Sequence, residues 1–438
     1  MKLLSDPSRL ARRRFLAGGM VGAASLLPPT AWSAPAASSV GVRVLEFWTM
    51  QLSPHLDSYV KGLIAGFEAA HPGVKIKWVD LPWAEAERKL LSAIAAKASP
   101  DVVNLNPQFS AKLAEFGALA DPEQYLSAAE CADYLPAAWD ANRLADAGGR
   151  LRSFAVPWYL STHLTLYNRS QLGQAGLAVP ASHAALLELA PALKQRSGSF
   201  AYFPALDGST PLETLVSSGA QLLRPQGCGA GFIDAKGTRV FEFYRSLYAQ
   251  GLTPRNVVSE GHRKAIEMFV AGQVAIVSSG MQFLGYIRNS NPKIYAQIEV
   301  APQLLAAGSR PGIAAMNLTV PQASSNKELA FRFARYVSAP AQQLAFARLV
   351  PVLPSTLASY ADPLFAQPDL GDVMGRARAL SVAHVLEGRI LVPPLRNYNK
   401  LRSNYARNLQ AVMLGRKSSA QALADIDAQW SGLLGCKA

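Results

Sequence analysis

VRVLEFWTMQLSPHLDSYVKGLIAGFEAAHPGVKIKWVDLPW, residues 42–83, decides the fold. Val42 to Phe47 reads as a short strand, because Val and Leu suit the pleated state. Trp48-Thr49-Met50-Gln51 follows as a polar-aromatic loop. Leu56, Tyr59, Val60, Leu63, Ile64 and Phe67 then recur at the spacing of one helical face, and Pro72-Gly73 stops that helix. Val74 to Val79 returns as a strand, with Val74, Ile76 and Trp78 alternating with two lysines. Strand, helix and strand make a βαβ unit, whose two strands lie parallel.

Outward from that unit, Trp83 opens a second helix with Leu90, Leu91, Ile94 and Ala95 on its apolar face. Pro100-Asp101 breaks it, and Val102 to Leu105 reads as a third strand ending in Asn106-Pro107-Gln108-Phe109. Ligands of open α/β sheets sit outside the carboxyl ends of the strands. Three segments therefore converge on one crevice: Trp48 to Gln51, Leu81 to Trp83, and Asn106 to Phe109. A second α/β pattern fills the middle of the chain. It has a strand at 164–167, helices at 182–195, 234–250 and 262–271, and a strand at 274–277 running into Ser278 to Phe283. The tail, 398–434, reads as two helices split near Gly415.

A run of short segments, in this order, resembles the extracellular solute-binding protein family 1, to which maltose-binding proteins belong. It starts with Val44 to Thr49 and Phe67 to Ile76. Lys89 to Ala96 then leads into Pro100 to Val103, and Phe154 to Tyr159 leads into Leu166-Tyr167-Asn168. Phe269 to Ala275 precedes Gly280, and Asn326 to Ala330 precedes Phe333. Where many members carry a Gly-Gly loop, this chain has Gly312-Ile313-Ala314-Ala315-Met316-Asn317.

The resemblance implies an α/β, two-lobed periplasmic-binding-protein fold of type II-like form. Each lobe is a sheet flanked by helices, with the ligand cleft at the hinge. Crossings are expected near Pro157–Leu160, Val300–Pro302 and Tyr336–Pro340. Lobe one would be 40–158 plus 301–338, and lobe two 159–300 plus 339–438. The implied function is that of a periplasmic substrate-binding protein of an ABC importer, closing on a sugar or oligosaccharide. Its partners would be the carbohydrate and the permease subunits in the membrane. A monomer without enzymatic activity, cofactor or metal is expected.

A sugar presents an apolar CH face and a rim of hydroxyls. Aromatic rings cover the face, and amides and hydroxyls bond the rim. Trp48, Trp83, Trp158 and Tyr159 are the candidate platforms, with Phe109 beside them. Thr49, Gln51, Asn106, Gln108, Ser161, Thr162, Gln282 and Asn317 are the candidate polar partners. Gly280 and Met281 would bring backbone close to the ligand, and Arg396 and Tyr398 follow Pro393-Pro394 in a loop able to reach it. Each Trp is equally ready to serve as core, and Ser161 and Thr162 to shape the hinge.

Two other ligand chemistries compete. A charged solute such as a glycerol phosphate requires a cation cluster at the cleft, for which only Arg396 stands out. A secreted carbohydrate-active hydrolase requires two facing carboxylates. Asp101 begins a strand and Glu46 lies within one, which makes them a poor pair. There is no GxSxG, HExxH or Walker A sequence, and the six histidines form no i, i+4 pair. Gly227-Cys228-Gly229-Ala230-Gly231 fails the GxGxxG spacing and reads as a turn.

Bulk properties agree with an exported globular protein. The 438 residues suggest two or three domains, and half of them are hydrophobic, enough for a packed core. Forty-three basic against 30 acidic residues give a net +13. The basic residues are scattered, so nucleic acid is not an expected partner. Cys131, Cys228 and Cys436 form no CxxC pair, leaving either one disulfide and one thiol or three thiols. Arg12-Arg13-Arg14-Phe15-Leu16, an apolar stretch to Leu27 and small residues at 31–36 have the parts of a cleavable export signal. The arginine pair before Phe-Leu resembles a Tat signal, and the extra arginine leaves Sec export open. The mature chain is expected to start near residues 34–38 in the periplasm, without a lipoprotein cysteine.

Overall fold

β1 (Arg43–Met50), α1 (Asp57–Ala70) and β2 (Val74–Leu81) form the expected βαβ unit, with β1 and β2 parallel from Arg43↔Val74 to Met50↔Leu81. The computed structural model describes residues 42–146, 148–225 and 227–435, less the side chain of Ala84. The expected export signal and Cys436 lie outside the described residues. α2 (Trp83–Ala95), β3 (Val102–Leu105) and α3 (Pro107–Glu115) continue the alternation. Trp48 and Thr49 lie inside β1, in place of the loop expected there. The ladder to β2 runs on through Trp48↔Val79 and Thr49↔Asp80, and both residues favour strands.

β1 has apolar residues on both faces because helices cover both. Leu45 and Phe47 enter a core with Phe67 of α1 and Phe333 of the helix Lys327–Val337. Met50 enters another, with Leu90 of α2 and Phe109 of α3, and the half-buried Trp48 packs against that same cluster. A hairpin, β4 (Arg143–Ala145) and β5 (Leu151–Ser153), follows, and then β6 (Val156–Thr162).

β7 (Leu164–Asn168) begins one residue after β6 but lies in another sheet. There it pairs with β9 (Val274–Ser279) and β10 (Ile298–Ala301), and β8 (Phe200–Tyr202) joins β9. β11 (Ile313–Thr319) returns to the first sheet, antiparallel between β6 and β3, and β12 (Leu353–Pro354) closes its edge on β6. The first sheet is ordered β12-β6-β11-β3-β1-β2 and the second β10-β7-β9-β8.

The chain thus changes sheet at His163, a few residues past the expected Pro157–Leu160. It changes back between Ala301 and Ile313. Thr165 Oγ1 ties the two crossings by donating to the Pro302 carbonyl at 2.7 Å. The first sheet's chain also extends to Pro354, beyond the boundary expected at 338. The tail helices Tyr398–Met413 and Ser419–Leu433 pack Tyr405 and Trp430 into the second sheet's core. Gly415, at φ 69°, separates them. Cys228 is disulfide-bonded, and Cys131 is a free thiol pushed up to about 11 by burial. No helix among the described residues is long and apolar enough to cross a membrane.

Gly237 tests the packing of the second lobe. A Cβ there would stand 1.9 Å from the Phe232 carbonyl oxygen. Alanine should favour a helix by about 1 kcal/mol. The clash is with backbone, so we expect Gly237→Ala to destabilise the protein by about 1–3 kcal/mol in urea unfolding. A stabilised variant would contradict that contact.

Candidate functional site

Asp80, at the carboxyl end of β2, organises the loop after β1. Its Oδ1 accepts from Thr49 Oγ1 at 2.6 Å and from the Leu52 amide at 3.1 Å, and its Oδ2 accepts from the Ser53 amide at 3.1 Å. Thr49 Oγ1 in turn accepts from Trp78 Nε1 at 2.7 Å. This network holds Gln51 exposed at φ 53°, its amide on the Leu81 carbonyl. Pro82 then turns the chain into α2, leaving Trp83 39% exposed at the first helical position. After β3, Asn106 caps α3. Its side-chain oxygen accepts from the Phe109 amide at 2.8 Å, and Pro107 fills the first turn.

Loops and helices of the second lobe supply the facing wall. Asp207 accepts from the His262 amide at 2.9 Å. Ser209 donates to Glu213 Oε1 at 2.5 Å, and Glu213 Oε2 faces His163 Nδ1 at 3.4 Å. His262 Nε2 lies 3.1 Å from Ser279 Oγ, and burial lowers its pKa. Tyr398 is buried, which raises its phenol pKa. Arg402 donates to the Gly208 carbonyl at 3.4 Å.

Between these walls lies a polar cavity of about 240 Å³. The first lobe contributes Glu87, Asn106, Gln108, Phe109 and Lys112 to it, and the second Gly208, Tyr398, Asn399 and Arg402. Glu87 and Lys112, both in its lining, pair at 2.5 Å. The arrangement offers donors and acceptors of both kinds beside two rings. Among the described residues, no group of three or more His, Cys, Asp or Glu is placed to hold a metal ion.

Asn106, Gln108 and Phe109 line this cavity, and Gln51 and Trp83 stand at the same strand ends. Other expected contacts are placed elsewhere. Trp158 is 1% exposed and stacks on Phe346 at 5.2 Å, with Tyr159 against the same ring at 5.3 Å. It offers no free face, because β6 runs through the middle of the first lobe. Trp48 donates its indole N–H to Glu46 Oε1 at 2.6 Å on the α2 side of the sheet. Thr49 is fully buried in the Asp80 network.

Asn317 is fully buried too, accepting from Asn142 Nδ2 at 2.9 Å beside an irregularity in β11. Thr162 is buried and donates to Ser381 at 3.0 Å, while Ser161 stands opposite Ala314 in the β6–β11 ladder. Met281 is core. Gly280 makes room for Gln282, whose side chain folds back to 2.0 Å from where a Cβ would be. Arg396 is exposed and reaches the Ala145 carbonyl of β4 at 3.5 Å, outside the cavity.

The pattern of bacterial extracellular solute-binding proteins matches residues 53–344. A Synechococcus sp. MITs9220 periplasmic-binding protein, assigned by its name to oligosaccharides, is 35% identical. It covers 89% of this chain and 99% of its own, with a TM-score of 0.80. The GacH receptor of Streptomyces glaucescens GLA.O, solved unliganded and with acarbose, is 23% identical. It covers 90% and 99% of the two chains at a TM-score of 0.75, a likeness of fold. An uncharacterized lipoprotein of Streptomyces antibioticus is 24% identical over 429 residues, 93% of this chain and 90% of its own. Match to the family over most of the chain, and a 35% identical relative sharing its architecture, lead to one conclusion: the chain belongs to the bacterial extracellular solute-binding proteins.

Proposed function

We propose that this protein is the exported, periplasmic component of an ABC importer and that it captures a saccharide between its two lobes. The observation that carries this reading is the cavity shared by Asn106–Lys112 of one lobe and Tyr398–Arg402 of the other. Its mostly polar lining suits the hydroxyl rim of a sugar, and the largely buried rings of Phe109 and Tyr398 border it. The name of the 35% identical relative supports the same class. Closure would pivot at His163 and at the 302–312 crossing, in the hinge manner of such proteins. The protein then acts as a monomer that hands its ligand to membrane permease subunits, without chemistry on it.

The hydrolase alternative loses its carboxylate pair. Asp101 accepts from the Glu46 amide at 2.9 Å and from Ser324 Oγ at 2.6 Å, at the end of β3 opposite Asn106. It pins the sheet.

Calorimetric titration of the mature protein with mono- to trisaccharides tests the reading. A saturable one-to-one isotherm with at least one of them is the expected result, and heat absent throughout the panel counts against it. Trp83→Ala should weaken that binding about tenfold, the scale of a lost ring contact plus its buried area. Its exposure predicts an unchanged melting temperature. Undiminished affinity would remove Trp83 from the ligand's surroundings.

A further inference from the structure

The charges in the cavity's own lining do not balance: one carboxylate, Glu87, stands against Lys112 and Arg402. Lys112 is neutralised by Glu87, but Arg402 has no carboxylate within ion-pair distance among the described residues. Among the described residues, its only hydrogen bond to the protein is the 3.4 Å contact with the Gly208 carbonyl. Glu213, outside the lining, accepts from Ser209 and faces His163. Asp207 is bonded to the His262 amide.

Asn399 also lines a second, larger groove of about 750 Å³, between the helices Tyr398–Met413 and Ser419–Leu433. Lys400 and Arg407 flank that groove, and its lining contains no acidic residue. The carboxylates of the facing helix are engaged elsewhere, Asp425 with Lys417 and Asp427 with Arg224. The lining of the two spaces therefore carries one carboxylate, Glu87, against four cations: Lys112, Lys400, Arg402 and Arg407.

An unpaired guanidinium beside a ligand space invites a planar anion, because its forked N–H groups match a carboxylate in two parallel bonds. The cavity, near the lower end of ligand-pocket sizes of roughly 300–1,000 Å³, holds a small unit. The groove past Asn399 has room for the units that follow. We propose that the ligand is an acidic oligosaccharide, with a uronate-type carboxylate held by Arg402 and further acidic units running along Lys400 and Arg407. The inference rests on the saccharide reading above and narrows it from sugars in general to anionic ones.

Uronic-acid oligomers of two to four units, in gluco, galacto and manno configurations, are titrated calorimetrically beside their methyl esters and beside neutral oligomers of equal length. The ester keeps the ring and removes the charge. A sugar phosphate is included to separate a carboxylate site from a general anion site. The expected result is at least tenfold tighter binding of one free acid than of its ester or of the phosphate, with the preference shrinking at high salt. Arg402→Gln should erase most of that preference and leave the melting temperature unchanged, and Lys400→Gln with Arg407→Gln should weaken the longer acids more than the shortest. If neutral oligomers bind as tightly as acids at low salt, or the phosphate binds tighter than every acid, the proposal is overturned; in the first case the saccharide reading stands. If no sugar of either charge binds, both fall.

Discussion

Replacing Phe333 by alanine is expected to lower the unfolding free energy by about 3–5 kcal/mol, the range for emptying a large aromatic site in a core. Phe333 is fully buried, with its ring edge-on to Phe47 of β1 at 5.1 Å and to Phe67 of α1 at 4.9 Å. Two terms add: the transfer of the ring out of water is lost, and a cavity opens between helix and sheet that three elements cannot easily fill. Leu at the same position restores much of the volume and should recover more than half of the loss. Urea unfolding monitored by far-UV circular dichroism measures both variants. A loss under 1 kcal/mol for Phe333→Ala would show that this helix does not pack on the sheet as described.

Acidification should remove about 3 kcal/mol of stability through His183 alone. Burial pushes its imidazole down from 6.5 to about 4. Its Nδ1 lies 3.1 Å from Ser218 Oγ and its ring meets the edge of Phe243 at 5.3 Å. It is also the first residue of the helix His183–Ser197, where the positive end of the helix opposes a second positive charge. The sign follows from proton counting. Above pH 6.5 neither state holds the proton and the contribution is complete. As pH falls from 6.5 towards 4 the unfolded chain binds a proton that the folded one refuses, at about 1.4 kcal/mol per pH unit. His262 and His384, also lowered by burial, act in the same direction. Carboxylates titrate in part of this window, so the measurement is a difference: His183→Asn should show a shallower fall in urea-derived stability between pH 6.5 and 4 than the parent protein. Parallel curves would mean that His183 is not buried neutral.

Much of the architecture is legible in the sequence because it is local. The 3.6-residue spacing of Leu56 to Phe67 and the break at Pro72-Gly73 specify α1 without reference to any other part of the chain. The same holds for the tail helices around Gly415. Strand ends are harder to read. β1 and β2 each run past the expected ends because they support one another, and neither sequence alone contains that ladder. β11 is harder still. Ile313–Thr319 sits antiparallel between β6 and β3, and its partners come from far along the chain.

The cavity divides along the same line. Asn106, Gln108 and Phe109 follow from the rule that ligands lie beyond the carboxyl ends of parallel strands. Glu87 and Lys112 do not stand out in the sequence, because each reads as an ordinary helix-surface charge. Gly208, Asn399 and Arg402 arrive from the other lobe, and no spacing in the sequence couples residue 208 to residue 402 or either to residue 106. Trp158 misleads for a related reason. It lies near a sheet crossing, but its strand is interior, and Phe346, nearly 190 positions later, covers its ring.

Hydrogen exchange with and without a saturating saccharide addresses the location of the ligand directly. Protection that includes segments 81–88, 106–112, 206–209 and 397–403 is what the two-walled cavity predicts. Protection centred instead on the separate groove at Glu123 to Arg143, with those four segments unchanged, would contradict it.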